Sequence, residues 1–204
     1  MRPAKSALLT LGLLAAAPIP AAGQAMSLQE VILRTKPATV LVVSEISSEV
    51  TVDCGGGAQK VTPNPFRETG TGWFIDSNGW IVTNGHVVQP AHELPRWVEN
   101  EQAQKGVLQA CMRNAGESMK RSVLARALPG AKVDLKPSIF ILAANGFRLP
   151  AKVAKYSPPI AGGAMSGRDL ALLQVEAAEM PAFTLGQSQG LKIGDPLRIL
   201  GFPG

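Results

Sequence analysis

Residues 71–88, TGWFIDSNGWIVTNGHVV, place two short apolar runs on either side of Asp76-Ser77-Asn78-Gly79 and end on a single histidine, His86. Aspartate, serine and asparagine bond to nearby backbone through short side chains, and glycine takes a positive φ freely, so the four form a turn. The flanking runs 72–75 and 80–83 are aromatic and β-branched, which predicts a β-hairpin. The second run reads as a buried strand, and His86 follows it between Thr83-Asn84 and Val87-Val88. A histidine in that setting is either a satisfied core residue or a reactive group on a rigid support.

Working outward, residues 27–33 predict a short helix, with Ser27 and Glu30 spaced as a capping box. Pro37 stops it, and residues 38–46 (ATVLVVSEI) are β-branched enough to predict a strand. Gly55-Gly56-Gly57 and Pro63-Asn64-Pro65 mark a loop. After Val88 the texture changes. In residues 91–128, Val107, Leu108, Cys111, Met112, Ala115 and Met119 recur at steps of three and four, the period of an amphipathic helix. A break is expected near Gly116, with Leu108, Met112 and Met119 turned inward. Pro129-Gly130 ends the helical part. Strands are then expected at 138–143 and 147–155 around an Asn145-Gly146 turn, at 169–175 (DLALLQV), and at 197–201. Short strands separated by turns, with one helical interruption, imply a mainly β fold, a barrel or a sandwich.

The chain has 204 residues, 46% hydrophobic and 17% charged, which suits one domain, or one and part of another. Residues 1–25 open with Arg2 and Lys5, continue in a short apolar run broken by Pro18 and Pro20, and end Gly23-Gln24-Ala25. That layout is a secretory signal pattern, too short and too proline-broken for a membrane anchor. No stable span is expected after its removal. Removal also takes two positive charges, lowering the net charge from +5 to +3. With no basic run interleaved with aromatics, nucleic acid is excluded as a partner. Export to a periplasmic or extracellular space makes Cys54 and Cys111 either a disulfide across a long loop or two separate thiols.

Only two histidines occur. His92 lacks a second histidine at HExxH spacing, and His86 lies six residues away, so neither a metal site nor a cofactor is expected. The glycine-rich stretches lack the lysine of a phosphate-binding loop. Asp169 stands at the mouth of an otherwise apolar strand. An aspartate bonded to an imidazole Nδ1–H fixes its tautomer and stabilises the cation it forms on taking a proton.

Three blocks carry a family resemblance. Residues 70–75 (GTGWFI) with 79–88 (GWIVTNGHVV) resemble the histidine segment of trypsin-like serine proteases of the HtrA/Deg type. Residues 169–173 (DLALL) resemble that family's aspartate segment, and 185–195 with 199–204 resemble the opening of its second barrel. The blocks occur in the family's order. The resemblance implies a double β-barrel: residues 1–25 a signal peptide, 26–182 the first barrel with a helical insertion at about 89–136, and 183–204 the opening strands of the second. It implies a serine endopeptidase acting on polypeptides without metal or cofactor, His86 being general base and acid and Asp169 its orienter. The family's Gly-x-Ser-Gly-Gly motif is absent from residues 1–204, and Ser188, with no following glycine pair, does not replace it. The expectation is therefore that this chain alone does not assemble the site. The alternative is a protease-like module that binds peptides or partners without catalysis; oligomeric state is left open.

Overall fold

The computed structural model describes residues 26–112, 116–159 and 167–202, so the expected signal segment 1–25 lies outside the described residues. In chain order come α1 (Leu28–Thr35), β1 (Thr39–Asp53), β2 (Ala58–Val61), β3 (Phe66–Phe74), β4 (Trp80–Thr83), α2 (Gly85–Glu93), α3 (Arg96–Cys111), α4 (Lys120–Ala127), β5 (Lys132–Leu142), β6 (Arg148–Ser157) and β7 (Leu170–Val175). Short 3-10 turns link several of them.

The strands form one antiparallel sheet in the order β2-β1-β3-β4-β7-β6-β5, and β1 pairs with β5 as well. Six strands therefore close into a barrel, and β2 hangs from β1 outside it. Closure removes free edges, which open sheets otherwise leave exposed. The interior is filled by Val40, Val42, Phe74, Ile81, Ile141, Leu173 and Val175, with Val87 and Val88 plugging it from α2.

Strand β1 explains how the rest attaches. Residues 41–46 pair with β3 on one side and β5 on the other. Beyond Ile46 the strand leaves the barrel, still paired with β5 as far as Thr51↔Lys132, and takes β2 on its other side from Val50 to Asp53. Its even-numbered residues keep to one face. Val40 and Val42 enter the barrel; Ser44 accepts the Ala91 N–H of α2 at 3.2 Å; Ser48 donates to Gln102 Oε1 of α3 at 2.8 Å. Val52 then joins Val107, Val123 and Ala127 in a second, smaller core beneath α3 and α4. A Cβ on Gly106 would stand 2.5 Å from Val50 Cβ, so only glycine lets α3 lie this close to the strand. Cys54, just past β1, and Cys111, the last residue of α3, are joined in a disulfide with Cα atoms 5.5 Å apart.

The structure corrects several expectations. The insertion is helical, but of the expected stripe α3 fully buries only Val107, alongside Val98, Gln102, Ala103 and Gly106, while Ala115 lies outside the described residues. Met112 packs only at the margin of the second core, Leu108 is half-buried, and Met119 is 53% exposed. The face is set by where β1 passes, and its closest point of approach selects a glycine and a glutamine, which carry no apolar signal. A helix also begins earlier than expected, at Gly85, and the chain breaks at Leu94, whose φ of 48° lies in the left-handed region before Pro95. β5 starts at Lys132, inside the expected insertion 89–136. β2 forms within a stretch read as loop.

The strand expected at 197–201 is not formed. Residues 183–202 lie outside the barrel and bond to β3 near their two ends, Phe183 N–H to Phe74 O at 2.8 Å and Phe202 N–H to Thr71 Oγ1 at 2.8 Å, with Thr71 Oγ1 also 3.5 Å from Phe202 O. Isolated bonds do not make a ladder, and Leu197 and Ile199 remain exposed. Among the described residues, no helix is long and apolar enough to cross a membrane.

Candidate active site

Strand pairing closes the long sequence gap between His86 and Asp169. Thr83, the last residue of β4, stands opposite Ala171 of β7. The chain leaving β4 toward His86 and the chain entering β7 from Asp169 therefore share one end of a strand pair. Both strands sit in the barrel core, through Ile81 opposite Leu173, each fully buried.

Local sequence turns this proximity into geometry. Asn84 is extended and occupies the N-cap of α2, so the helix starts at Gly85. A Cβ on Gly85 would lie 2.5 Å from Ser157 O and 3.3 Å from Asp169 Oδ1; glycine allows the helix to press against β6 and the entry to β7. Val87 and Val88 anchor the first turn in the barrel, with Val87 filling the space over Gly70. Those two residues face inward, which leaves the His86 side chain 51% exposed.

Asp169 precedes β7 with φ of 51°, in the left-handed region, and its N–H donates to Pro158 O at 3.1 Å. Its Oδ2 lies 2.9 Å from His86 Nδ1. Its Oδ1 lies 3.2 Å from the same nitrogen and accepts the His86 backbone N–H at 2.8 Å. The carboxylate thus caps the first turn of α2 from another strand, where the unpaired amides and helix dipole favour negative charge. Burial pushes the Asp169 carboxyl up, but the ring and backbone hydrogen bonds from His86, its charge and the Asn84 amide together hold it below the usual aspartate value.

Beside the pair, Tyr156 of β6 packs edge-on against the His92 ring, with centroids 5.0 Å apart. Burial, then the carboxylates of Glu93 and Asp169, push its phenol up to about 12. His92 therefore serves α2 packing. Among the described residues, no group of three or more His, Cys, Asp and Glu side chains is placed to hold a metal ion. Ser188 opens a 3-10 turn in the exposed segment after the barrel.

The chemistry open to this arrangement is proton transfer. With Nδ1–H bonded to the carboxylate, the neutral imidazole carries its lone pair on Nε2, and the carboxylate stabilises the cation formed when that nitrogen takes a proton. Sequence reading named both members but missed Asn84, whose Nδ2 donates to Asp169 O at 3.3 Å and to Asp169 Oδ2 at 3.2 Å. The available signal was an asparagine directly before a helix, which ordinarily means a cap.

The trypsin-like peptidase domain family matches residues 70–204. No curated protein matches the chain. Among solved structures, the HtrA-type protease AlgW with a decapeptide is 15% identical with a TM-score of 0.43, over 83% of this chain and 39% of that one. The serine endoprotease from Yersinia pestis is 16% identical with a TM-score of 0.39, over 84% and 37%. AlgW with a tripeptide is 19% identical with a TM-score of 0.39, over 83% and 33%. The chain spans between 33% and 39% of the length of these structures.

Proposed function

The chain belongs to the trypsin-like peptidase family, and from that premise we propose that it carries the histidine and aspartate of a serine endopeptidase that hydrolyses polypeptides. The observation that supports this best is the 2.9 Å approach of Asp169 Oδ2 to His86 Nδ1 on a half-exposed imidazole at the barrel's end. His86 takes the proton of a serine hydroxyl as that oxygen attacks the peptide carbonyl, then returns it to the leaving amine. Asp169 holds the imidazole in the required tautomer and stabilises its cation. The serine belongs to a Gly-x-Ser-Gly-Gly segment, a motif that residues 1–204 do not contain. Residues 26–182 act as the first barrel and 183–204 as the approach to a second.

The same reading places the protein outside the cytoplasm. Its support is the charged, apolar and small-residue layout of residues 1–25, together with a disulfide between Cys54 and Cys111.

The test is fluorophosphonate labelling and peptide hydrolysis by the protein carrying the serine segment. His86→Ala is expected to lower kcat by about 10⁶, because triad members act as a unit. Asp169→Asn is expected to cost about 10⁴, through the wrong tautomer. Retained hydrolysis in His86→Ala would refute the assignment, and peptide binding with neither labelling nor hydrolysis would indicate a non-catalytic module.

A further inference from the structure

We propose that Asn84 is a positioning residue that fixes the Asp169 carboxylate against His86 by giving up the capping of its own helix; this rests on reading His86 and Asp169 as a catalytic pair. Asparagine is among the best N-cap residues, because its side-chain oxygen accepts an amide of the helix's first turn. Asn84 stands at the N-cap of α2 with the extended backbone a cap requires, yet its side chain makes no capping bond. The first-turn amide of His86 goes instead to Asp169 Oδ1, at 2.8 Å. The two residues have exchanged partners: the aspartate caps the helix, and the asparagine holds the aspartate.

The hold has two points. Asn84 Nδ2 reaches the main-chain oxygen of Asp169 at 3.3 Å and its Oδ2 at 3.2 Å. Both targets are acceptors, so only the amide nitrogen fits there, which settles the orientation of the group. Asp169 needs such a hold. Its φ of 51° is uncommon for a residue with a Cβ, and although aspartate tolerates it better than most, surrounding bonds favour its staying there. One donor on the carbonyl and one on the carboxylate tie its backbone and side chain together. The oxygen that Asn84 grips is also the one 2.9 Å from Nδ1, so the carboxylate cannot swing away without breaking both contacts.

The discriminating variant is Asn84→Ser. Serine is itself a strong N-cap, so α2 keeps its start, but the donor to Asp169 is gone. The readout is the hydrogen-bonded imidazole Nδ1–H proton, followed by NMR at low field in the 204-residue chain, with thermal melting alongside. The wild-type chain is expected to show the signal and Asn84→Ser to lose it at unchanged Tm. Asn84→Asp, isosteric but without a donor and with a charge facing Asp169, is expected to lose it too, and serves if the serine variant fails to fold. A role confined to capping predicts the reverse, with Asn84→Ser identical to wild type. Persistence of the signal in Asn84→Ser and Asn84→Asp, or its absence from the wild-type chain, overturns the proposal. In a form that hydrolyses peptide, Asn84→Ser should lower kcat about tenfold, the scale of one net hydrogen bond, with KM unchanged. If the signal behaves as expected in a protein that never hydrolyses peptide, the peptidase reading fails while Asn84's hold on Asp169 stands.

Discussion

Strand β1 runs through two regions built on different principles. Between Leu41 and Ile46 it is a barrel stave, bonded on both sides and facing a core of Val, Ile, Leu and Phe side chains. Beyond Ser47 it becomes the middle of a three-stranded sheet, β2-β1-β5, with α3 and α4 on one face and a second core centred on Val52, Val107, Val123 and Ala127. The first region closes on itself; the second has open edges at β2 and at the outer half of β5. The β5 edge carries Lys132, Asp134, Lys136 and Pro137, residue types that discourage pairing with another chain. That core is smaller than the barrel's, and the Cys54–Cys111 disulfide ties the end of α3 to the end of β1 beside it. His86 and Asp169, the proposed catalytic pair, sit at the end of the barrel and not on the disulfide-linked region. Geometry held to fractions of an ångström belongs on elements locked by packing.

The contrast can be broken most directly in the barrel. Ile81 and Leu173 face one another across β4 and β7, both fully buried. Leu173→Ala is expected to cost about 3–4 kcal/mol in urea unfolding, from lost burial plus the cavity left behind. A cost below about 1 kcal/mol would mean the barrel core is not what supports the fold.

Replacing both cysteines by serine should cost about 3 kcal/mol, mostly by restoring freedom to the unfolded chain. The cost should also be local. Hydrogen exchange is expected to accelerate in α3 and α4 while β4 and β7 keep their protection. Equal acceleration everywhere would show one cooperative unit and dissolve the comparison.

A smaller effect tests the fit between strand and helix. Gly106→Ala places a methyl within 2.7 Å of three Val50 side-chain atoms and should cost about 2 kcal/mol by overpacking, against the gain in helix propensity. An unchanged or higher Tm would mean α3 rides loosely on β1.

The smallest effects are in pH. Asp169 is more acidic folded than unfolded, so its contribution is complete above the unfolded value near 4 and is lost as pH falls through the lower folded value. The Tm advantage of wild type over Asp169→Asn should accordingly shrink toward acid. Tyr156 moves the other way. Its proton is held up to about 12 against 10.0 when free, so stability falls as pH rises between those values. As it is the only tyrosine, near-ultraviolet titration reads it directly, and ionisation near 10.0 in the folded chain would contradict the packing around α2.

Much of the barrel was legible because its signals are local. The Asp76–Gly79 turn, the β-branched run of β1 and the apolar run of β7 each follow from turn chemistry or strand-forming residue types, which neighbouring residues display by themselves. His86 and Asp169 could be named because each stands at the end of such a strand. The inward face of α3 could not be read, because Val107 and Leu108 are equally apolar and only the path of β1 chooses between them. Nor could the absence of a strand at 197–201, since an apolar run becomes a strand only where a partner offers a ladder.

What the sequence by itself determined was most of the barrel strands, the helical character of the insertion, and His86 and Asp169 as candidates for one site. The tertiary structure decided their relation: the β4–β7 register that brings Asp169 to His86, the annex that β1 supports beyond the barrel, and the diversion of Asn84 from capping α2 to gripping Asp169. Each of those is a contact between residues tens of positions apart. Such contacts depend on strand register and on competition among hydrogen-bond partners, and neither leaves a periodicity in the chain.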